Sequence, residues 1–150
     1  MNASVKGRTL ADLLAEAEAR ISRLSPAETH TAMENGAILI DIRSDSNRSE
    51  YGIVPGSLHI PRTVLEWRTA PDSESRNPYL GDVDQQTILI CDHGCSSVLA
   101  AAVLADLGFT RSGDVIGGFE AWRATDLPVN PAPGRGGTVG SPAGIGPPDP

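Results

Sequence analysis

The hydrophobic positions form short apolar runs that alternate with segments of helical spacing over the first 129 residues. Residues 37–43 and 87–91 are almost continuously apolar, which predicts parallel strands buried on both faces. Shorter apolar stretches at residues 58–61 and 114–116 predict two more strands. Because strands and helical segments alternate, the pattern predicts an open α/β sheet that is mostly parallel.

Capping signals mark where the first two helices begin. Thr9 and Asp12 have the spacing of a capping box, and apolar residues then recur at helical spacing as far as Leu24. Ser25 precedes a proline and a glutamate, which together predict the start of a second helix. The sequence therefore predicts a helical N-terminal extension over residues 1–24, followed by the main domain.

Two later helices are predicted on different grounds. Residues 97–107 are apolar nearly all the way round, so this helix should pack closely against the sheet, and Gly108 should end it. The glycine pair at 117–118 predicts a turn into a short helix. Phe119 and Trp122 of that helix are spaced to face the core together.

Three arginines lie in a segment without clear periodicity, residues 62–79, where a short helix around residues 64–68 is the only predicted element. Long charged side chains of this kind are usually solvated. Arg62, Arg68 and Arg76 are nevertheless the candidate contacts for an anionic substrate, because a guanidinium binds such groups with two parallel hydrogen bonds.

The composition changes beyond Val129. Residues 130–150 are rich in proline and glycine and carry little apolar side chain, which predicts a disordered tail. One domain over residues 25–129 remains, and a chain of this size supports a single packed core.

The charge balance limits the partners of the protein. With 12 basic and 19 acidic residues the formal net charge is −7, which argues against nucleic acid and anionic membranes as partners. No apolar stretch reaches the roughly 20 residues of a membrane span, and the N-terminus lacks the apolar core of a signal peptide. We therefore expect a cytoplasmic protein whose partners are small molecules or proteins.

Cys91 is the strongest chemical candidate, because it ends the strand over residues 87–91 and opens a polar loop that leads into the next helix. A thiol held there faces successive main-chain amides and the positive end of the helix dipole, which both favour a thiolate. The only other cysteine, Cys95, lies in the same loop, so the pair forms no disulfide framework. A small buried apolar role remains open for Cys95.

Charged residues follow the other buried strand. Asp41 and Arg43 end the run over residues 37–43, and in open α/β sheets ligands bind at the carboxyl ends of the strands. We expect Asp41, Arg43, Cys91 and Gly117 to gather at this edge. For Asp41 and Arg43 an ion pair or a loop anchor is preferred to a direct catalytic role.

Four motifs occur in an order and spacing that resemble a single-domain rhodanese from about residue 25 to residue 129. Two further runs are similar to a bacterial subgroup of such domains, namely Leu65-Glu66-Trp67-Arg68 and the Ser-Ser-x-Leu-Ala-Ala run that starts at Ser96. The four motifs are Leu39-Ile40-Asp41-Ile42-Arg43, Val54-Pro55-Gly56-Ser57-Leu58-His59-Ile60-Pro61, Cys91-x-x-Gly94 and Gly117-Gly118-Phe119-Glu120-Ala121-Trp122.

The resemblance implies a three-layer fold, with a five-stranded parallel sheet between helices, and a sulfurtransferase without cofactor or metal. Cys91 would carry a persulfide from a small donor such as thiosulfate, or a low-molecular-weight persulfide, to a thiophilic acceptor, which is a small molecule or a protein thiol. The residues that would supply main-chain amides around the sulfur are Asp92, His93, Gly94, Cys95 and Ser96, with Ser97 opening the helix.

The loop departs from the family pattern at two places. Many members that use thiosulfate have arginine or lysine in the loop, whereas Asp92 and His93 directly follow Cys91. Because a carboxylate repels a dianionic donor, either the three arginines compensate from outside the loop or the donor is a less charged persulfide, which is slightly preferred. Cys95 is the second departure, and we hypothesise that it resolves a Cys91 persulfide or sulfenic acid through a loop disulfide.

Other functions explain the sequence less well. Phosphatases and arsenate reductases that share the fold hold their oxyanion with an arginine six residues after the cysteine, where this chain has Ser97. The main alternative is a non-catalytic module of the same fold that binds a protein partner or senses redox state. Modules that only bind a partner commonly lack the cysteine, which this chain retains. A metal site built from Cys91, Asp92, His93 and Cys95 is disfavoured, because adjacent residues do not easily converge on one ion.

Overall fold

The computed structural model describes residues 7–133, which form one parallel five-stranded sheet in the order β1-β5-β4-β2-β3. Every strand pair in the sheet is parallel, which confirms the predicted α/β class. The strands are β1 Ser22–Leu24, β2 Ile38–Asp41, β3 Leu58–His59, β4 Thr87–Ile90 and β5 Ser112–Val115, and the helices are α1 Leu10–Glu18, α2 Pro26–Glu34, α3 Asp45–Tyr51, α4 Leu65–Thr69, α5 Ser96–Asp106 and α6 Gly118–Arg123.

The sheet is covered on both faces because successive strand residues point to opposite sides. On one face Ile40 and Leu89 pack with side chains of α4 and α5. On the other face Leu39, Ile88 and Ile90 pack with side chains of α2 and α6. The two apolar clusters make the three-layer arrangement that the resemblance implied.

The N-terminal segment differs from the helical extension predicted over residues 1–24. The helix α1 ends at Glu18, and β1 pairs with β5 as an edge strand of the sheet. Apolar residues at positions 21 and 24 fit a helix pattern, but Leu24 contributes instead to the buried cluster beneath the sheet. Residues 22–24 therefore belong to the sheet and not to a separate helix.

Two elements contain few apolar residues, and the sequence pattern did not predict them correctly: helix α3 was not predicted, and strand β5 was predicted at a shifted position. The helix α3 is polar along its length and begins where the Ser44 hydroxyl accepts a hydrogen bond from the Asn47 amide. The last strand, β5, begins two residues earlier and ends one residue earlier than the predicted stretch 114–116, and its first residues, Ser112, Gly113 and Asp114, are small or polar and give no apolar signal. All residues of β5 are buried nonetheless, so burial of this strand does not follow from its hydropathy.

The predicted disordered tail falls mostly outside the described residues, which end at residue 133. At its beginning Asn130 forms an isolated antiparallel bridge with Ile53, so the ordered chain continues past Val129. Among residues 7–133 no helix is both long and apolar enough to cross a membrane.

Candidate active site

Cys91 follows β4 directly and begins the loop that leads into α5. Its side chain is buried, with the residue only 5% exposed, and its Sγ accepts a hydrogen bond from the Gly94 amide at 3.1 Å. The Ser97 hydroxyl oxygen lies 3.2 Å from the same sulfur, as acceptor of the thiol proton. The loop therefore encloses the sulfur with polar groups instead of packing it only against apolar side chains.

Opposing effects act on the pKa of the Cys91 thiol. Burial raises this pKa, because a thiolate is poorly solvated there, while hydrogen bonding with Ser97, Ser96 and Gly94 lowers it. The hydrogen bonds outweigh burial, so the pKa of Cys91 lies below its ordinary value. A lowered pKa favours the nucleophilic thiolate near neutral pH.

The short helix α6 holds the loop in place through its first amides. The Phe119 amide donates to the Cys91 carbonyl at 2.8 Å, and the Glu120 amide donates to the Asp92 carbonyl at 3.0 Å. Gly118 permits this approach, because a Cβ on it would lie 2.5 Å from the Cys91 carbonyl oxygen. The glycine pair thus shapes the site in addition to starting the short helix after the predicted turn.

Replacing Gly118 with alanine should displace the loop, since the new Cβ meets backbone atoms that cannot move aside cheaply. We expect the pH midpoint for alkylation of Cys91 by iodoacetamide to rise by about one unit as hydrogen bonds to the sulfur weaken. Gly108→Ala is the matched control, because Gly108 also has a positive φ of 102° but no atom within 4 Å of a new Cβ. Equal midpoints in the two variants would contradict the proposed close contact.

A chain of polar side chains, in which Ser97 and Asp114 are buried and Arg23 is half-buried, lies behind the sulfur and was not predicted. The Ser97 hydroxyl donates to Asp114 Oδ2 at 2.7 Å, and Arg23 binds the same carboxylate through Nε at 2.9 Å and Nη2 at 3.1 Å. Arg23 Nη2 also donates to the Gly94 carbonyl at 3.0 Å. Arg23 and Asp114 occupy neighbouring strands, β1 and β5, and they are 91 residues apart in the chain. The predicted strand over residues 114–116 did not show that its first residue pairs with Arg23 beside Cys91.

The outer loop residues face a cavity of about 340 Å³ between α3 and α6, which we call the loop cavity. Asp92 accepts a hydrogen bond from the Asn47 amide group at 2.9 Å, and His93 contacts Glu120 at 2.6 Å. The residues that line the loop cavity include Arg43, Asn47, Asp92, His93, Glu120 and Arg123. Three of these, Asn47, Glu120 and Arg123, were not among the predicted site residues.

Cys95 and Ser96 complete the loop at the start of α5. Cys95 is an exposed free thiol at the N-cap of the helix, and Ser96 is its first residue. Cys91 is likewise a free thiol. A disulfide between the two cysteines therefore stays a hypothesis.

Asp41 and Arg43 form a buried ion pair next to the loop cavity, in agreement with the preferred anchoring role. Arg43 binds both carboxylate oxygens of Asp41, at 3.0 and 2.9 Å, and donates to the Gly52 carbonyl at 2.8 Å. Its guanidinium also lies 3.8 Å from the centre of the Phe119 ring. A second arginine, Arg48, reaches the same carboxylate at 3.3 Å, so two guanidinium groups share the charge of Asp41.

The three arginines predicted as anion contacts point elsewhere. Arg62 forms an ion pair with Glu66, while Arg68 donates to the Ser75 carbonyl and Arg76 to the Gly81 carbonyl. None of the three lines the loop cavity. Their sequence segment is irregular, so their directions could not be inferred from a helix or strand pattern.

Metal ligation finds little support in the loop. Asp92 and His93 are each engaged by another side chain, as described above, and Cys91 is enclosed by hydrogen-bond donors. Residues 7–133 contain no group of three or more His, Cys, Asp or Glu side chains placed to hold a metal ion.

Comparison with known proteins gives relatives over most of the chain. A family model described as Rhodanese-like domain matches residues 25–125. Thiosulfate sulfurtransferase GlpE of Ectopseudomonas mendocina is 37% identical over 105 residues, which cover 69% of this chain and 85% of that protein. Thiosulfate sulfurtransferase GlpE of Haemophilus influenzae, strain PittEE, is 32% identical over 110 residues, which cover 73% of this chain and 94% of that protein.

Solved structures share the fold. A protein of unknown function from Rhodopseudomonas palustris, described as a possible tyrosine phosphatase, superposes with a TM-score of 0.75 at 28% identity and covers 87% of this chain and 99% of its own. The polysulfide-sulfur transferase homodimer from Wolinella succinogenes superposes with a TM-score of 0.64 at 23% identity, covering 79% and 84%. The family model, the sheet order and the enclosed cysteine agree, and the chain belongs to the family of rhodanese-like domains.

Proposed function

We propose that the protein transfers sulfane sulfur through a persulfide on Cys91. The chain is a thiosulfate sulfurtransferase-like enzyme of the rhodanese type, as its family and the names of its relatives support. The persulfide proposal rests on the surroundings of the Cys91 sulfur. This atom accepts a hydrogen bond from the Gly94 amide at 3.1 Å and lies at the N-terminus of α5. These donors stabilise a thiolate and also the anion of a persulfide.

The reaction proceeds in two displacements at sulfur. The Cys91 thiolate attacks the outer sulfur of thiosulfate, the bond between the two sulfurs of the donor breaks, and sulfite leaves with the electron pair. With a persulfide donor, the leaving group is a thiolate that takes up the proton of the donor. An acceptor such as cyanide then attacks the outer sulfur of the loaded enzyme, leaves as thiocyanate, and restores the Cys91 thiolate. A small thiol or a protein thiol is the alternative acceptor.

The charges around the loop support a persulfide donor over thiosulfate. Asp92 places a carboxylate directly after the nucleophile, and Glu120 adds another on the rim of the loop cavity. The guanidinium of Arg43 is already paired with Asp41. Arg123, whose guanidinium lies 4.7 Å from the centre of the Tyr51 ring, is then the arginine of the loop cavity that could attract an anionic donor. A dianion is therefore less favoured here than a low-molecular-weight persulfide of lower charge.

Mass spectrometry of the intact protein tests both parts of this proposal. We expect incubation with cysteine persulfide, which carries less negative charge than thiosulfate, to add one sulfur atom to Cys91 faster than incubation with thiosulfate does. In Asp92→Asn the loading by thiosulfate should become several-fold faster, because a like charge is removed, whereas loading by the persulfide should change less. Faster loading of the wild type by thiosulfate would overturn the donor assignment. Absence of an adduct from either donor would overturn the persulfide mechanism.

A phosphatase is the second candidate, because the solved Rhodopseudomonas palustris relative is described as a possible tyrosine phosphatase. The arginine that would hold a phosphate in such a loop is replaced by Ser97, whose side chain is fully buried and binds Asp114. The negative charge of Asp114 behind Ser97 would repel a phosphate dianion bound in this loop. An assay with an aryl phosphate discriminates the two candidates, and we expect no turnover above the Cys91→Ser background.

A further inference from the structure

We propose that Asp114 competes with the ionised Cys91 sulfur for the single hydroxyl proton of Ser97, so that the network favours the sulfur-loaded site over the free thiolate. Asp114 and Arg23 are thereby positioning residues that act through Ser97. The part of this inference that concerns loading rests on the proposed function. The part that concerns the thiol does not, because it describes Cys91 before any donor arrives.

The geometry fixes the order of donors and acceptors in the network. The Ser97 hydroxyl donates to Asp114 Oδ2 at 2.7 Å and accepts from Cys91 Sγ at 3.2 Å. Ser97 and Asp114 are both completely buried, with exposures of 0%, so neither group is in contact with bulk solvent. A short hydrogen bond to a buried carboxylate is among the stronger neutral-to-charged contacts.

A serine hydroxyl carries one proton, and this limits the network. While Cys91 is a thiol, its own proton points to Ser97, and the Ser97 proton serves Asp114. Once the thiol ionises, both Sγ and Asp114 Oδ2 are anions that need the Ser97 proton, and only one can receive it. If the hydroxyl turns to the sulfur, Asp114 keeps only the two hydrogen bonds from Arg23, at 2.9 and 3.1 Å.

Few other charged groups face this network. From β1, Arg23 lies between Asp114 and the Gly94 carbonyl, and from α1 Glu18 approaches Arg23 at 3.7 Å. The titratable loop side chains, Asp92 and His93, are instead bound by partners on the loop-cavity side. The helix α5 carries no charge in its first turn. Asp114 is thus the anion that shares a hydrogen-bonding partner with the sulfur.

Sulfur loading removes the competition. In the persulfide the inner sulfur of Cys91 is bonded to two atoms and is uncharged, while the negative charge moves to the outer sulfur. The Ser97 hydroxyl then donates its hydrogen bond to Asp114 again, and Arg23 supplies the other hydrogen bonds to that carboxylate. The loaded form therefore satisfies every member of the network, whereas the free thiolate leaves one anion with a missing donor.

The decisive measurement is the pH dependence of Cys91 alkylation by iodoacetamide, made in a Cys95→Ser background so that the signal belongs to one thiol. We expect Asp114→Asn to lower the alkylation midpoint by about one unit, because an amide that donates to Ser97 frees the hydroxyl proton for the sulfur. When Ser97→Ala is also present, the shift caused by Asp114→Asn should fall to less than half. Ser97→Thr, which keeps the hydroxyl, should restore the larger shift.

Asp114→Ser provides a second neutral variant should the asparagine protein fail to fold, and it should lower the midpoint in the same Ser97-dependent way. An unchanged midpoint, or a shift of equal size with and without Ser97, would overturn the inference. Persulfide occupancy at a fixed ratio of thiosulfate to sulfite gives the second readout, and it should fall by up to about tenfold in Asp114→Asn. Absence of loading in every variant would sink the proposed function while leaving the alkylation result intact.

Discussion

Cys91→Ser is expected to abolish sulfur transfer, with a loss of at least about 1,000-fold in the rate of thiocyanate formation from whichever donor loads the wild type. A serine hydroxyl is almost the same size as the thiol, but at neutral pH it does not ionise in this loop and forms no persulfide. The hydrogen bonds of Gly94 and Ser97 would remain in place around the oxygen. The loss would therefore be chemical and not structural.

The matched control is Cys95→Ser, which changes the other thiol of the same loop. Cys95 is exposed and has no hydrogen bond to the reacting sulfur, so this variant should load and release sulfur at a rate within about twofold of the wild type. Retention of more than a tenth of the activity in Cys91→Ser would exclude Cys91 as the nucleophile. Loss of activity only in Cys95→Ser would move the chemistry to the second thiol.

Asp41→Asn is expected to destabilise the protein by about 3–5 kcal/mol, the usual result of removing one partner from a buried ion pair. Arg43 has a completely buried side chain and would keep its charge, while the amide of asparagine offers it one acceptor oxygen in place of the two of the carboxylate. Arg48 would lose its contact with Asp41 as well. Urea unfolding followed by circular dichroism measures this change in the free energy of unfolding.

Glu66→Gln is the control, because it removes the carboxylate from an exposed ion pair with an arginine. The Arg62 to Glu66 pair spans one helical turn and is 38% and 39% exposed, so its loss should change the free energy of unfolding by less than about 1 kcal/mol. If Asp41→Asn cost no more than Glu66→Gln, the Asp41 cluster would not anchor the carboxyl edge of the sheet.

The parts of the fold that followed from the sequence are those whose residues carry a strong hydropathy pattern. The runs over residues 37–43 and 87–91 are apolar because they cross the middle of the sheet, and they became β2 and β4. The edge strand β1 has three residues and one partner, so its pattern is too short to separate from the helix before it. Helix α3 is polar because it packs through Arg48 and a capping serine, not through an apolar stripe.

The residues of the candidate site likewise fall into those that the sequence predicts and those that it does not. Cys91 and the loop after it could be predicted, because a strand, a polar loop and a helix occur in direct succession. The network of Arg23 and Asp114 could not, because its members come from strands far apart in the chain and meet only when β1 pairs with β5. The sequence-based preference for Arg62, Arg68 and Arg76 rested on charge alone, and charge does not determine where a long side chain points.

The edge strand β1 has a consequence for where this unit can be shortened. The family match begins at residue 25, yet a polypeptide cut there would lack the strand that covers β5 and the cation that neutralises the fully buried Asp114. Its newly exposed backbone amides and carbonyls would offer a template for self-association through open sheet edges. The smallest stable folding unit is therefore longer than residues 25–125, the stretch that the family model matches.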